Sequence, residues 1–410
     1  MRSRLLLSFL AAAVSGLFGC AEPAPPSGPA SQGWSEQERQ IFYTTNQGAQ
    51  IMPYRWFRAL RQSDNDAPFA ADQLQRYGYL ANPVSAANPE NLPVGFTIDG
   101  SAETGHLGMT CAACHSTQIT YNGQTMRIDG ARTSADFQRF LTDLTKSAQV
   151  TRDTPDRFAV FARDVFGADP TPAQTAELRT KFTAWVGSFA AFMAASLPDT
   201  PWGPGRLDAV GMIFNRVAGL DLGRAENYRK ANAPVRYPFI WDAPKQDKTQ
   251  WPGFAPNGRY IFGLTRNTGE VLGVFARFNP HRPAGSARLR YDTSANLDNL
   301  QTLEELVVKL APPAWPARLF GYDQARAAQG RRVFEAACKS CHDPAYASPL
   351  PAECRMGDPK VREAWATPLC DVGTDPRAAM NAGGRAVNAG IMRGTSALPG
   401  IVPPLPRDAA

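Results

Sequence analysis

Apolar side chains recur along this chain at helical spacing, and most of the runs open on a residue suited to cap them. Ser35-x-x-Glu38 forms a capping box ahead of Ile41 and Phe42. Ser134 precedes Phe137, Phe140, Leu141 and Leu144, an i, i+3, i+4, i+7 face. Thr154-Pro155 opens a helix that Gly167 closes, following the preference for proline at the start and glycine past the end. Thr171-Pro172-x-Gln174 opens a longer one, with Leu178, Phe182, Trp185, Val186, Phe189 and Met193 inward. Thr302-x-x-Glu305 starts another that Pro312 and Pro313 end, and Asp323 starts a helix leading to Cys338. The pattern changes from Ile119 onward, where Asn122-Gly123 predicts a tight β-hairpin turn. From Pro198 to Gly285 the chain is dense in Gly, Pro and aromatic residues and reads as looped.

At the start, Arg2 and Arg4 precede an apolar stretch from Leu5 to Phe18 that is short for a bilayer span and reads as a signal peptide. Leu17-Phe18-Gly19-Cys20 resembles a bacterial lipobox, which would acylate Cys20; plain cleavage near Gly19 or Ala21 stays open, because Phe18 is bulky for that position. Residues 20–33 are rich in Pro, Ala, Ser and Gly and suit a flexible tether. No later run is long and apolar enough to span a membrane. The expected location is the bacterial periplasm, or the outer membrane through a lipid anchor on Cys20, with no other membrane contact.

Two short segments carry the chemistry. Cys111-Ala112-Ala113-Cys114-His115 and Cys338-Lys339-Ser340-Cys341-His342 are both C-x-x-C-H runs, in a chain with 4 histidines. Two thiols three positions apart on a helical turn can each bond one haem vinyl group, and the adjacent histidine is then held under the iron. Cys111, Cys114, Cys338 and Cys341 are thus expected to attach two covalently bound c-type haems, with His115 and His342 as proximal iron ligands. A four-cysteine zinc site is the competing reading, and it would leave both adjacent histidines unused. Of the 7 cysteines, Cys354 and Cys370 then remain, and a disulfide in an oxidising compartment is their simplest use; two free buried thiols are the alternative. The formal net charge of +6 includes Arg2 and Arg4, and no basic run stands out, so the balance suits haem propionates and predicts no nucleic-acid partner.

These motifs, with Met109 to Ile119, Met126 to Gly130, Gly205 to Ala209, Pro238 to Asp242 and Asn267 to Gly273, resemble the bacterial dihaem cytochrome c peroxidase superfamily. The match is closer to its rubber-oxygenase-like branch, and it covers roughly residues 34 to 375 as scattered motifs. The resemblance implies one haem with an open distal side for peroxide or dioxygen, and a second that stores or relays electrons. It also implies a tryptophan between the haems. Trp251 lies where the family places one, with Trp241 and Trp202 in reserve. Glu270 and Arg266 are candidates for distal acid–base help. Relatives continue past the second motif through a segment with a capping histidine, whereas residues 343–410 contain none. Either the chain is shortened or the second haem takes another sixth ligand: Met392 first, then Met380, with Met356 also a candidate. His106 reads as a loop residue or propionate contact, and His281 as a surface-loop residue or a haem cap.

The expected architecture is mainly α: two cytochrome c-like haem domains joined by a long, loop-rich inter-haem region. The divisions are a signal peptide (1–19), a tether (20–33), a first haem domain (34–200), the inter-haem region (201–321) and a second haem domain (322–410). The expected function is a redox enzyme of the peroxidase or oxygenase type, reactive at the His115 haem and fed electrons by a periplasmic donor or acceptor protein. The alternative is a periplasmic electron-transfer cytochrome with no catalytic site of its own.

Overall fold

The computed structural model describes residues 28–29, 32–250, 253, 255–258, 261–286, 288–314, 316, 321–339 and 374–393. The signal peptide, Cys20, Trp251, Cys341, His342, Met356, Cys354 and Cys370 lie outside the described residues.

A short strand β1 (Gly28–Pro29) precedes helix α1 (Glu36–Thr44), which opens on Ser35 with both halves of the Ser35/Glu38 capping box made. Strand β2 (Met52–Pro53) runs into helix α2 (Tyr54–Ala59). Strands β3 (Phe96–Asp99) and β4 (His106–Met109) pair antiparallel, and β2 adds to β4, giving the order β2-β4-β3. A single helical turn, α3 (Cys111–Cys114), separates β4 from a hairpin of β5 (Ser116–Tyr121) and β6 (Gln124–Asp129). Asn122 (φ 48°) and Gly123 (φ 74°) form its left-handed turn, as the Asn-Gly pair requires, and β1 joins β6 in parallel.

Helices α4 (Phe137–Asp153), α5 (Pro155–Phe166) and α6 (Pro172–Ser196) pack together as the pattern anticipates. Asp136 rather than Ser134 caps α4, its carboxylate accepting from the Arg139 N–H at 3.0 Å. Gly167 closes α5 in the left-handed region, and Thr171 with Gln174 boxes the start of α6. Phe140, Phe158, Phe161 and Phe182 are fully buried here, and Trp56 of α2 meets Phe182 edge-on at 5.4 Å.

Further along, α7 (Ala209–Phe214) continues into a π-helical turn (Asn215–Asp221). Helix α8 (Ile261–Gly273) packs on α9 (Leu297–Lys309), with a hairpin of Phe278–His281 and Arg290–Thr293 between them. Asn296 caps α9, so this helix begins five residues before Thr302, whose hydroxyl donates to the Asp298 carbonyl from inside it. A separate helix, Gln324–Ala337, starts at Asp323 as expected.

The expected mainly α fold with two cytochrome c-like haem domains is overturned. Of the described residues 47% are helical and 14% lie in strands, spread over several small sheets, and no cytochrome c-like domain is among them. The Pro198–Gly285 stretch is also less looped than its composition suggests, because α7, the π turn and α8 all fall in it. Strands of two to four residues are too short to show alternation, and ladder bonds to distant segments hold them.

Three hydrophobic cores result. The Cys111–Cys114 turn sits at the seam of two of them: Ala113 packs into the aromatic core of α4 to α6, and Ala112 into a core of Trp34, Phe42, Leu303 and Leu310. Gly95 makes this seam possible. Its φ is +77°, and a Cβ there would stand 2.0 Å from the Ala113 nitrogen. Gly167 is also left-handed (φ +70°) but has nothing within 4 Å. Gly95→Ala should therefore cost at least ~2 kcal/mol in urea denaturation, against about 1 kcal/mol for Gly167→Ala. Equal losses would show that close approach at the seam is not what the glycine provides.

Candidate functional site

The turn that carries the first C-x-x-C-H run is held at both ends by backbone. Thr110 caps it, its hydroxyl accepting from the Ala112 N–H at 3.3 Å, and the His115 N–H donates to the Cys111 carbonyl at 2.9 Å. The Thr133 N–H donates to the Cys114 carbonyl (3.0 Å) and the Gly130 N–H to the His115 carbonyl (2.8 Å). Just before Gly130, fully buried Asp129 accepts from Arg39 Nε at 2.6 Å and from the Tyr43 hydroxyl at 2.5 Å. Gln32 bonds the Asp129 backbone on both sides, accepting from its N–H (2.9 Å) and donating to its carbonyl (2.8 Å). Asp129 pairs with Ser116 in the β5–β6 ladder, so this knot sets the position of the residue after His115.

His115 is fixed from the side. Its Nδ1 lies 2.9 Å from the Pro238 carbonyl, which can only accept, so Nδ1 carries the proton and Nε2 keeps its lone pair. Tyr237 meets the ring edge-on, with centroids 6.2 Å apart. Burial pushes the imidazole down to about 4 against the pull of Pro238, which keeps it neutral. Cys111 and Cys114 are free thiols. Burial pushes Cys114 up to about 12 and raises Cys111, although Gln47 donates to the Cys111 sulfur at 3.0 Å. Protonated thiols of this kind are the reverse of a thiol-redox C-x-x-C, which needs a stabilised thiolate. Cys111, Cys114 and His115 are half-buried, while Ala112 and Ala113 between the cysteines are buried. The buried Tyr237 hydroxyl interacts with Cys114, and the hydroxyl of buried Tyr79 has no hydrogen-bond partner among the described residues.

Helices α8 and α9 bring a polar group near the two thiols. Glu270 acts electrostatically on both thiols and accepts from Gln250. Burial pushes its carboxyl up to about 7, opposed by Arg266 and Gln250. Arg266 pairs with buried Glu304 and donates to Asn257. Asn267 donates to Glu304 at 2.9 Å.

Arg266 and Glu270 are thus brought beside the first motif. Trp241 is near it as well, stacked on Phe239 at 4.9 Å and lying against Gly130. Trp202 is a core residue whose indole donates to the Ala231 carbonyl at 2.7 Å. His106 is a strand residue of β4, and His281 lies in the exposed hairpin, 3.7 Å from Asp292. Cys338 ends the Gln324–Ala337 helix, in which Val333 and Phe334 are exposed. Met380 is exposed on a helix (Arg377–Gly383) that packs on α7, and Met392 ends a short turn (Gly390–Met392) beside the hairpin. Sequence reasoning assigned no role to Gln47, Tyr237, Pro238 or Glu304. Only Pro238 lay in a motif singled out beforehand; the others meet the site through distant elements and leave no local pattern.

Among the described residues no group of three or more His, Cys, Asp and Glu is placed to hold a metal ion; the four-cysteine zinc reading includes Cys341, which lies outside them. No helix among them is long and apolar enough to cross a membrane. The chain is 31% identical over 353 residues to the uncharacterized protein y4iJ of Sinorhizobium fredii, covering 77% of this chain and 58% of that relative. It therefore spans less than two thirds of the relative's length. No family model matches the chain. No solved structure matches it either.

The raised carboxyl of Glu270 links stability to pH. Between the ordinary value of 4.5 and about 7 the folded chain keeps a proton that the unfolded chain has lost. Its contribution is full below that window and is lost as pH rises through it. Asp221, pushed up to about 7 by burial against the pull of Arg216, acts with the same sign. Glu270→Gln should flatten the fall in urea-denaturation stability between about pH 5 and 7 by on the order of 1–3 kcal/mol, leaving the Asp221 share. An unchanged slope in the variant would count against a protonated Glu270.

Proposed function

We propose that this chain is an exported c-type haem protein with two covalently bound haems, acting as a redox enzyme of the peroxidase or oxygenase type. The observation that carries the reading is His115. Its Nδ1 is committed to the Pro238 carbonyl, Nε2 is left as a neutral donor, and the ring stands at the end of a turn bearing two protonated free thiols. The residues present fit a haem. Cys111 and Cys114 would form the thioethers, His115 would hold the iron, and Pro238 would set the ring's tautomer and angle. When bound, the group supplies one-electron redox chemistry and a coordination position for peroxide or dioxygen.

The chain's own part lies beside the first motif. Glu270, with its carboxyl raised toward neutrality, is suited to give or take a proton there. Gln250 and Arg266 orient it, and Glu304 holds Arg266 in place. The second haem is assigned to Cys338, Cys341 and His342, with Met392 or Met380 as sixth ligand and Trp251 as the route between the two groups. The family resemblance supports that part, as does the second motif itself. Cysteine counting in an oxidising compartment supports a disulfide between Cys354 and Cys370. Electrons would come from or go to a periplasmic redox protein.

Haem stain after denaturing electrophoresis, with intact mass, should find two covalent haems in the matured protein. Cys111→Ser/Cys114→Ser should remove one of them. His115→Gly should leave the first haem attached but alter its spin state and potential, without changing the low-spin signal of the other. Carbon monoxide should bind the reduced wild type at one iron. Two low-spin irons inert to carbon monoxide would replace the enzyme with an electron carrier, and a mass without haem would end both readings.

Export and anchoring rest on residues 1–33. Cys20→Ser should move the protein from the membrane fraction to the soluble periplasm. A soluble wild type would leave plain cleavage, and a cytoplasmic one would refute export.

A further inference from the structure

Four arginines within a fourteen-residue stretch share one exposed hairpin and its loop. Strands Phe278–His281 and Arg290–Thr293 pair only with each other among the described residues. Arg277, Arg282, Arg288 and Arg290 are all exposed on this hairpin or its loop, with Asp292 as the one carboxylate between residues 277 and 293. Tyr291 is 51% exposed and lies against Phe278 at 5.5 Å. Arg282 donates to the Ile391 carbonyl at 3.3 Å, two residues before exposed Arg393. Four guanidinium groups on so short a projection repel one another, and an anionic partner would relieve that cost.

The base of the hairpin leads directly to the first motif. Ala276 bridges Ala49, and the Ser294 hydroxyl donates to the Gly48 carbonyl at 2.6 Å. The Asn296 N–H donates to the Gln47 carbonyl at 3.0 Å, and the Gln47 side chain in turn donates to the Cys111 sulfur at 3.0 Å. The root of the basic surface is thus two hydrogen bonds from a thioether position.

We propose that this arginine hairpin is the docking surface for an acidic redox protein that exchanges single electrons with the haem attached at Cys111. The inference rests on the haem reading above. In the reducing direction the partner's centre is oxidised by one electron, ferric iron becomes ferrous, and no bond is made or broken. Charge complementarity favours a protein carrying an acidic patch. The connection to Cys111 favours a redox partner over a nucleic acid or a lipid surface, for which proximity to that sulfur has no use.

The test compares full-length holoprotein with an Arg282→Glu/Arg288→Glu/Arg290→Glu variant, using a reduced plant-type [2Fe–2S] ferredoxin as acidic one-electron donor in stopped flow. At low ionic strength the variant should be reduced at least ~10-fold more slowly, and the difference should close at about 0.5 M salt. An unchanged Soret band and carbon monoxide spectrum verify that the variant is folded. Equal rates at low salt would overturn the proposal. So would loss of binding to single-stranded DNA or phosphatidylglycerol vesicles with ferredoxin reduction unaffected. A chain without a Soret band would refute the haem reading instead. Calorimetric binding of oxidised ferredoxin, weakened in the variant, would still support the docking face, and no binding would remove it.

Discussion

Asp129 is the constraint around which the first motif is built. A carboxylate with no exposed surface persists only if its charge is paired and its oxygens are satisfied. Arg39 supplies the charge, Tyr43 the second hydrogen bond, and Gln32 satisfies the backbone on either side. The bonds are long in sequence, and each ties a different segment to the end of β6. Removing the carboxylate would leave buried Arg39 with Glu36 as its paired carboxylate and Tyr43 without its acceptor. Because Asp129 faces Ser116 across the ladder and Gly130 holds the His115 carbonyl, the knot also fixes where the histidine points.

The two cores meet at that point. The small residues between the cysteines let the turn wedge into the seam, with Ala112 to one side and Ala113 to the other. Larger side chains there would have to displace well-packed neighbours. The thiols and the imidazole are left half-buried beside the seam. On the other side α8 and α9 place two carboxylates against one arginine, Glu270 and Glu304 against Arg266. Burial pushes the Glu270 carboxyl up to about 7, so it can exchange a proton near neutral pH.

The helices were legible because their capping chemistry is local. Ser35 with Glu38, Thr154-Pro155 with Gly167, and Thr171 with Gln174 each act within one turn, and each lies where expected. The Asn122-Gly123 hairpin was legible for the same reason. The small strands were not, because β2 depends on a partner more than fifty residues away and both β2 and β3 are too short to show alternation. Helix α8 was hidden by the Gly- and Pro-rich composition around it. It is stabilised by packing against α9, α7 and the π turn, not by propensity.

The chemistry divides in the same way. By itself the chain determines the thiol spacing and the adjacent histidine, since three consecutive roles on one turn need no distant partner. Tertiary structure alone decides that the Pro238 carbonyl orients His115, 123 residues away in sequence. It alone brings Gln47 to the Cys111 sulfur and Glu304 to Arg266. The reason is physical. A covalent attachment pattern is written in neighbouring residues, whereas burial, electrostatic field and hydrogen-bond partners belong to whatever the fold sets beside them, and those neighbours come from anywhere in the chain.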